Sequence, residues 1–185
     1  MDKSEYQKIS AEKKKAKEIL FKKSWPGDKT AKPLVVVFAP QKNEDLLFQI
    51  LQGFMVLPGN FIIVSEKELP DMHLHPSGKI TWVAAENGLN QSKIDEYILA
   101  ADMAVLFEEH VNDLKNVMKK GAVIIGHEKS PFLQDYQPND ETGNAFTYPA
   151  QNPWAIFMAT VRAHETYRFP YDWQNIIRSV LKTRF

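Results

Sequence analysis

Cysteine is missing altogether from this 185-residue chain. Disulfides and thiolate metal sites are therefore excluded, and the composition fits a reducing compartment. An excess of either charge is missing too. Lysine plus arginine number 23 and aspartate plus glutamate number 23, for a formal net charge of +0. Nothing in the whole-molecule balance steers the chain towards nucleic acid or an acidic membrane. No apolar run approaches the ~20 residues that a bilayer-crossing helix needs. The N-terminus is lysine-rich and polar without an apolar stretch, unlike a signal peptide. A cytoplasmic protein is expected.

What is there reads as globular. Apolar residues make up 44% and charged residues 25%, a profile compatible with a sizeable core. Residues 1–23 form a charged helix with a sparse apolar stripe of Ile9, Ala16, Ile19, Leu20 and Phe21. Lys13, Lys14 and Lys15 are a small basic run within it. Glu12 and Glu18 interrupt the charge, so a solvated helix face is expected. Ser24-Trp25-Pro26-Gly27 is a stop signal. Residues 1–30 are thus a helix and linker, and 31–185 one domain.

From Pro33 the pattern changes. Leu34–Phe38 is a continuous apolar run with three β-branched valines, as in a strand buried on both faces. Leu46, Leu47, Ile50, Leu51 and Phe54 follow at helical spacing. Further strands are read at 61–64, 80–83, 103–107 and 122–125, with helices at 92–99 and 111–119, the last stopping at Gly121. Residues 144–148 offer a short edge strand. Asn152 caps a helix with Pro153 at its first position. Pro170 opens a final helix carrying Trp173, Ile176, Ile177, Val180 and Leu181. Strand and helix alternate, which predicts an α/β fold: a doubly wound parallel sheet, Rossmann-like, with helices on both faces. Ligands are expected beyond the carboxyl ends of the strands.

The run from Gly143 to Trp173 narrows this further. It holds Gly-Asn-Ala-Phe, then Asn152-Pro153-Trp154, a long amphipathic segment, and Tyr171-Asp172-Trp173. Upstream stand Gln41-Lys42-Asn43-Glu44-Asp45-Leu46-Leu47, Ala100-Ala101-Asp102-Met103 and Phe107-Glu108. In that order the parts resemble the C-terminal domain of the bacterial glycogen synthases and plant starch synthases, glycosyltransferases of the two-Rossmann-domain (GT-B) architecture. The resemblance implies that Lys42 contacts the diphosphate of a sugar nucleotide and that Glu108 contacts the donor sugar, as a catalytic residue. It implies ADP-glucose or UDP-glucose, or an α-glucan, as partner, and an acceptor domain on the N-terminal side of this segment. No metal and no further cofactor is expected.

The departures fall on the chemistry. The family's arginine after the first strand lies at Val37 or Phe38 here. Two cations aimed at a departing diphosphate would be the main electrostatic aid to transfer, and one is gone. The family's Pro-x-Gly after the glutamate becomes Glu109 and Val111, placing a carboxylate where phosphate would approach. Its Thr-Gly-Gly-Leu becomes Ser130-Pro131-Phe132-Leu133, and proline supplies no N–H.

Other chemistry-bearing residues have plainer readings. Lys42 also reads as an exposed lysine at a helix start, and Glu108 with Glu109 as charge compensation there. Asp71-x-His73-x-His75 and His110 could hold a metal, but no third ligand is evident and a surface loop is the simpler reading. Trp154, Phe157, Tyr167, Phe169, Tyr171 and Trp173 suit a sugar-stacking platform. A core cluster joining two helices is the expected role. Three functions stay open. One is a degenerate glycosyltransferase-like domain that retains nucleotide-sugar or glycan binding. Another is the donor half of an active glucosyltransferase with a separate acceptor domain. The third is a non-enzymatic interaction module.

Overall fold

The structure, a computed structural model, describes residues 3–27, 31–40, 42, 44–65, 80–84, 90–107 and 111–185. Twelve elements run α1 (Lys3–Ser24), β1 (Leu34–Phe38), α2 (Glu44–Val56), β2 (Asn60–Ser65), β3 (Ile80–Ala84), α3 (Gln91–Ala100), β4 (Met103–Leu106), α4 (Val111–Lys119), β5 (Val123–His127), β6 (Ala145–Tyr148), α5 (Pro153–Tyr167) and α6 (Pro170–Lys182). The six strands form one sheet in the order β3-β2-β1-β4-β5-β6, every pairing parallel. This is the doubly wound arrangement the alternation predicts. Its direction of winding reverses between β1 and β4.

Burial explains the strand sequences. All residues of β2 and β4 are buried, and β1 is buried up to Phe38. Strands covered on both faces need no polar side, so they read as unbroken apolar runs. On the helices the stripe is one-sided. Ile156, Ala159, Thr160, Ala163 and His164 are the buried residues of α5, and Trp173, Ile176 and Val180 those of α6. Packing joins α1 to α3, α3 to α4, α4 to α6, α6 to α5 and α5 to α2. One continuous core runs from Phe21 on α1 to Val180 on α6.

Local chemistry sets the boundaries. Asn90 and Asn152 cap α3 and α5, accepting from the N–H of Ser92 and Ala155 at 3.0 and 2.9 Å. Gly121 ends α4 with φ of 68°, a conformation that costs glycine little. At Gly143 (φ 104°) a Cβ would lie 2.5 Å from the Asp135 carbonyl oxygen. No larger residue fits this approach to β6.

The basic run on α1 corrects the solvated-face expectation. Lys14 and Lys15 are exposed, but Lys13 and Lys17 are buried. The Lys17 ammonium lies 2.6 Å from Asp102 Oδ2 and donates to the Lys32 carbonyl at 2.6 Å. Asp102 also accepts the N–H of Leu34 at 2.8 Å. Lys13 donates to the carbonyl of Ala101. The long methylene stems bury against the sheet while the heads find oxygen partners at its amino end. The Glu12 and Glu18 interruptions give no hint of this, because the carboxylate that matters comes from residue 102.

Candidate functional site: a cleft at the carboxyl ends of β4, β5 and β6

Chain reversal between β1 and β4 leaves their following loops side by side, since neither crosses over the other. Phe38 pairs with Leu106 in the register, so both loops begin at the same level of the sheet. Lys42 stands in the first, exposed, just beyond β1. Glu108, with Glu109 and His110, lies in the second and outside the described residues. Asp71, His73 and His75 also lie outside them.

Beside this point a cleft of about 510 Å³ opens over β4, β5 and β6. Its floor is apolar, from Leu106, Phe107 and Leu114, and its rim polar, from His127, Lys129, Ser130 and Gln151. Lys42 is not among the lining residues. The floor is tied down across β5. The buried Tyr148 hydroxyl on β6 donates to the Leu106 carbonyl at 2.8 Å, and the Gln151 amide donates to the Phe107 carbonyl at 2.7 Å. Two strand-end carbonyls are thereby consumed. Loss of water raises the Tyr148 phenol pKa well above its ordinary value, keeping it a donor at neutral pH.

A tight turn arranges the rim. The Ser130 N–H donates to the His127 carbonyl at 3.1 Å, and the Lys129 N–H to His127 Nδ1 at 3.1 Å. With Nδ1 accepting, the neutral ring carries its proton on Nε2. Imidazole N–H, ammonium and hydroxyl thus gather at one rim. Among the described residues no carboxylate lines the cleft. Such a donor set suits an anion, and the apolar floor suits the flat face of an organic group. Gly126 makes room for Leu133, whose Cδ1 lies 2.6 Å from where a Cβ would sit.

Sequence reading missed most of this rim. It singled out Ser130 only as the residue replacing a threonine, and passed over His127, Lys129 and Gln151. The signal was position: His127 ends β5, and Lys129, Ser130 and Gln151 follow β5 or β6 at the carboxyl edge, where this fold binds ligands. The aromatic cluster needs a correction. Trp173 is buried against Tyr167 and Phe146, with ring centroids 5.1 and 6.5 Å away. Trp154, Phe169 and Tyr171 are instead exposed. The helical stripe holds Trp173 inward, whereas those three lie on the outer turns of α5, at its end and at the start of α6.

No protein-family model matches the chain. It is 24% identical to glycogen synthase 1 of Synechocystis over 165 residues, covering 82% of this chain and 34% of that protein. The chain therefore spans about a third of that relative's length. The catalytic domain of starch synthase IV from Arabidopsis thaliana, described as bound to ADP and acarbose, superposes with a TM-score of 0.76 at 16% identity. That match covers 94% of this chain and 39% of the other. A structure described as the basis for EarP-mediated arginine glycosylation of elongation factor EF-P gives a TM-score of 0.54 at 14% identity, over 98% of this chain and 64% of the other. The chain thus resembles part of glycogen synthase 1 in sequence and has the Rossmann-like fold of the matching part of starch synthase IV, as the resemblance implies. Among the described residues no helix is long and apolar enough to cross a membrane.

Proposed function

We propose that the chain is the nucleotide-binding half of a glycosyltransferase of the glycogen and starch synthase type, and that it binds a nucleoside diphosphate or its sugar ester without transferring sugar alone. The cleft at the carboxyl ends of β4, β5 and β6 carries this reading. It has the size of a small-molecule site, three donors at one rim and an apolar floor. In this reading Lys129, Ser130 and the Nε2 proton of His127 face the phosphates. Lys42 approaches the diphosphate from the neighbouring loop and Glu108 the sugar. The ADP and acarbose described with starch synthase IV support ADP and an α-glucan as first ligands to try.

The lack of independent transfer rests on three positions. Val37 is buried and Phe38 half-buried where the family resemblance calls for an arginine. Neither supplies charge to a leaving diphosphate. Pro131 removes a backbone donor beside Ser130. Calorimetric titration with ADP, ADP-glucose and UDP-glucose, alongside a glucose-incorporation assay on glycogen, tests both halves. Saturable ADP binding without incorporation is expected. Incorporation by this chain alone refutes the degeneracy. Failure of all three nucleotides to bind refutes the nucleotide site.

A further inference from the structure

A second cavity, of about 440 Å³, opens at the opposite, amino end of the sheet. It lies between α1, the turn leading into β4, and the junction of α5 with α6. Tyr6, Ser10, Lys13, Lys14, Trp173 and Gln174 are among its lining residues. Its charges are out of balance. Lys17 is fully engaged, with Asp102 Oδ2 at 2.6 Å, the Lys32 carbonyl at 2.6 Å and the Tyr167 hydroxyl oxygen at 3.3 Å. These three partners match its three protons, and its charge neutralises Asp102. Among the described residues Lys13 makes one hydrogen bond, to the Ala101 carbonyl, of the three its ammonium can donate.

The groups around Lys13 do not supply a second anion. Asp102, Lys17 and Lys120 are the charged groups that act on it, one carboxylate against two further cations. Asp102 already belongs to Lys17. Lys120 is paired with Asp95 at 2.8 Å, so Asp95 is occupied as well. Burial draws the Lys13 ammonium down to about 8, so an anion beside it would favour its charged form. Two buried cations that share one carboxylate are an unfavourable arrangement. Here it faces a cavity large enough for a small molecule. Lys14, exposed, adds a second cation at the mouth. Tyr6 and Trp173 offer flat apolar walls, and the Gln174 amide and Ser10 hydroxyl offer polar contacts.

We propose that this cavity binds a small phosphate-bearing anion, with Lys13 at its base and Lys14 at its mouth. The anion supplies the missing charge and accepts from the Lys13 ammonium. Phosphate suits the task because its several oxygens can meet an ammonium as a point charge from more than one direction. The walls leave space for an organic substituent, so the ligand is inorganic phosphate or a phosphate monoester. This site is independent of the carboxyl-end cleft and of what binds there.

Calorimetric titrations with inorganic phosphate and with glycerol phosphate test it. Saturable binding at one site per chain is expected. Tighter binding of glycerol phosphate identifies an ester pocket, and equal binding a free-anion pocket. Lys13→Met keeps the stem and removes the charge, and should weaken binding at least tenfold. Lys14→Glu alters only an exposed residue, so it reads the site even where Lys13→Met compromises folding, and it should weaken binding severalfold. Lys129→Ala, in the other cleft, should leave this binding unchanged. The proposal is overturned if neither probe saturates. It is also overturned if both lysine variants bind as the parent does, or if Lys129→Ala abolishes binding while Lys13→Met retains it.

Discussion

The two ends of the parallel sheet are built on opposite principles. At the amino end a buried ion pair braces the sheet beside a cavity: Lys17 reaches Asp102, and Asp102 reaches the Leu34 amide. At the carboxyl end the strand-end carbonyls are tied off by Tyr148 and Gln151, and polar groups ring an open cleft. One end is braced by charge within the fold, and the other by neutral hydrogen bonds to strand-end carbonyls. The lesson is that a fold can keep its bracing while its loops change. Asp102 and Met103 match the synthase pattern at the charge-braced end. Of the departures, Phe38, Val111 and Pro131 lie towards the carboxyl ends of the strands.

The largest break in this contrast should come from Asp102→Asn. It strands Lys17 without its carboxylate and leaves Lys13 with no nearby anion. Breaking a buried pair from one side costs about 3–5 kcal/mol, so urea denaturation should show a loss of that size. An unchanged midpoint would mean that the amino end is not braced by charge. Lys17→Met in the same chain should restore part of the loss, because no orphan cation then remains beside the neutral Asn.

Gly143→Ala comes next. It combines a left-handed backbone with a Cβ pressed against Asp135 and Tyr136 backbone atoms. Strain and overpacking together should cost about 2–4 kcal/mol, visible as a lowered thermal midpoint. Lys129→Ala tests the other end. The residue is exposed, so stability should move by less than about 0.5 kcal/mol. ADP affinity should fall roughly tenfold, the loss of one charge-assisted hydrogen bond. A stability loss without an affinity loss would reverse the assignment of the two ends.

The smallest effect concerns pH. His164 is buried on α5; its Nδ1 donates to the Thr160 carbonyl at 2.9 Å, and among the described residues Nε2 has no hydrogen-bond partner. Burial lowers its pKa below 6.5, against smaller opposing influences from the Thr160 carbonyl, Asp102 and Glu165. The folded state therefore binds this proton less readily than the unfolded state. Its neutral-form stability is complete above pH 6.5 and is lost as pH falls through that value towards the folded pKa. Unfolding free energy should decline there by up to about 1.4 kcal/mol per pH unit. Denaturation midpoints of His164→Phe should lack that slope between pH 7 and 5.

Much of the fold was legible because its signals are local. The unbroken Leu34–Phe38 run, Asn152 before Pro153, and Gly121 after α4 each specify their own geometry. The sites were less legible because they depend on distant partners. Lys13 and Lys17 look like surface charge until residues 101 and 102 arrive beneath them. Lys129 and His127 look like loop filler until Gln151 and Phe107 close the cleft. Trp154 and Trp173 share an aromatic cluster in sequence, yet only the packing of α6 tells which one turns inward.

The Lys17–Asp102 contact also orders events in time. The partners are separated by 85 positions, and Lys13 and Ala101 by 88. Because Asp102 also binds the Leu34 amide at the head of β1, its place is fixed only once β1 and β4 lie side by side. Helix α1, first in the chain, is therefore expected to seat late, since its buried partners come together only on the assembled sheet. During refolding, amides of the central strands should gain protection from hydrogen exchange before those of α1. The segment carrying Lys13 and Lys17 acts as a latch that fastens after the sheet has formed.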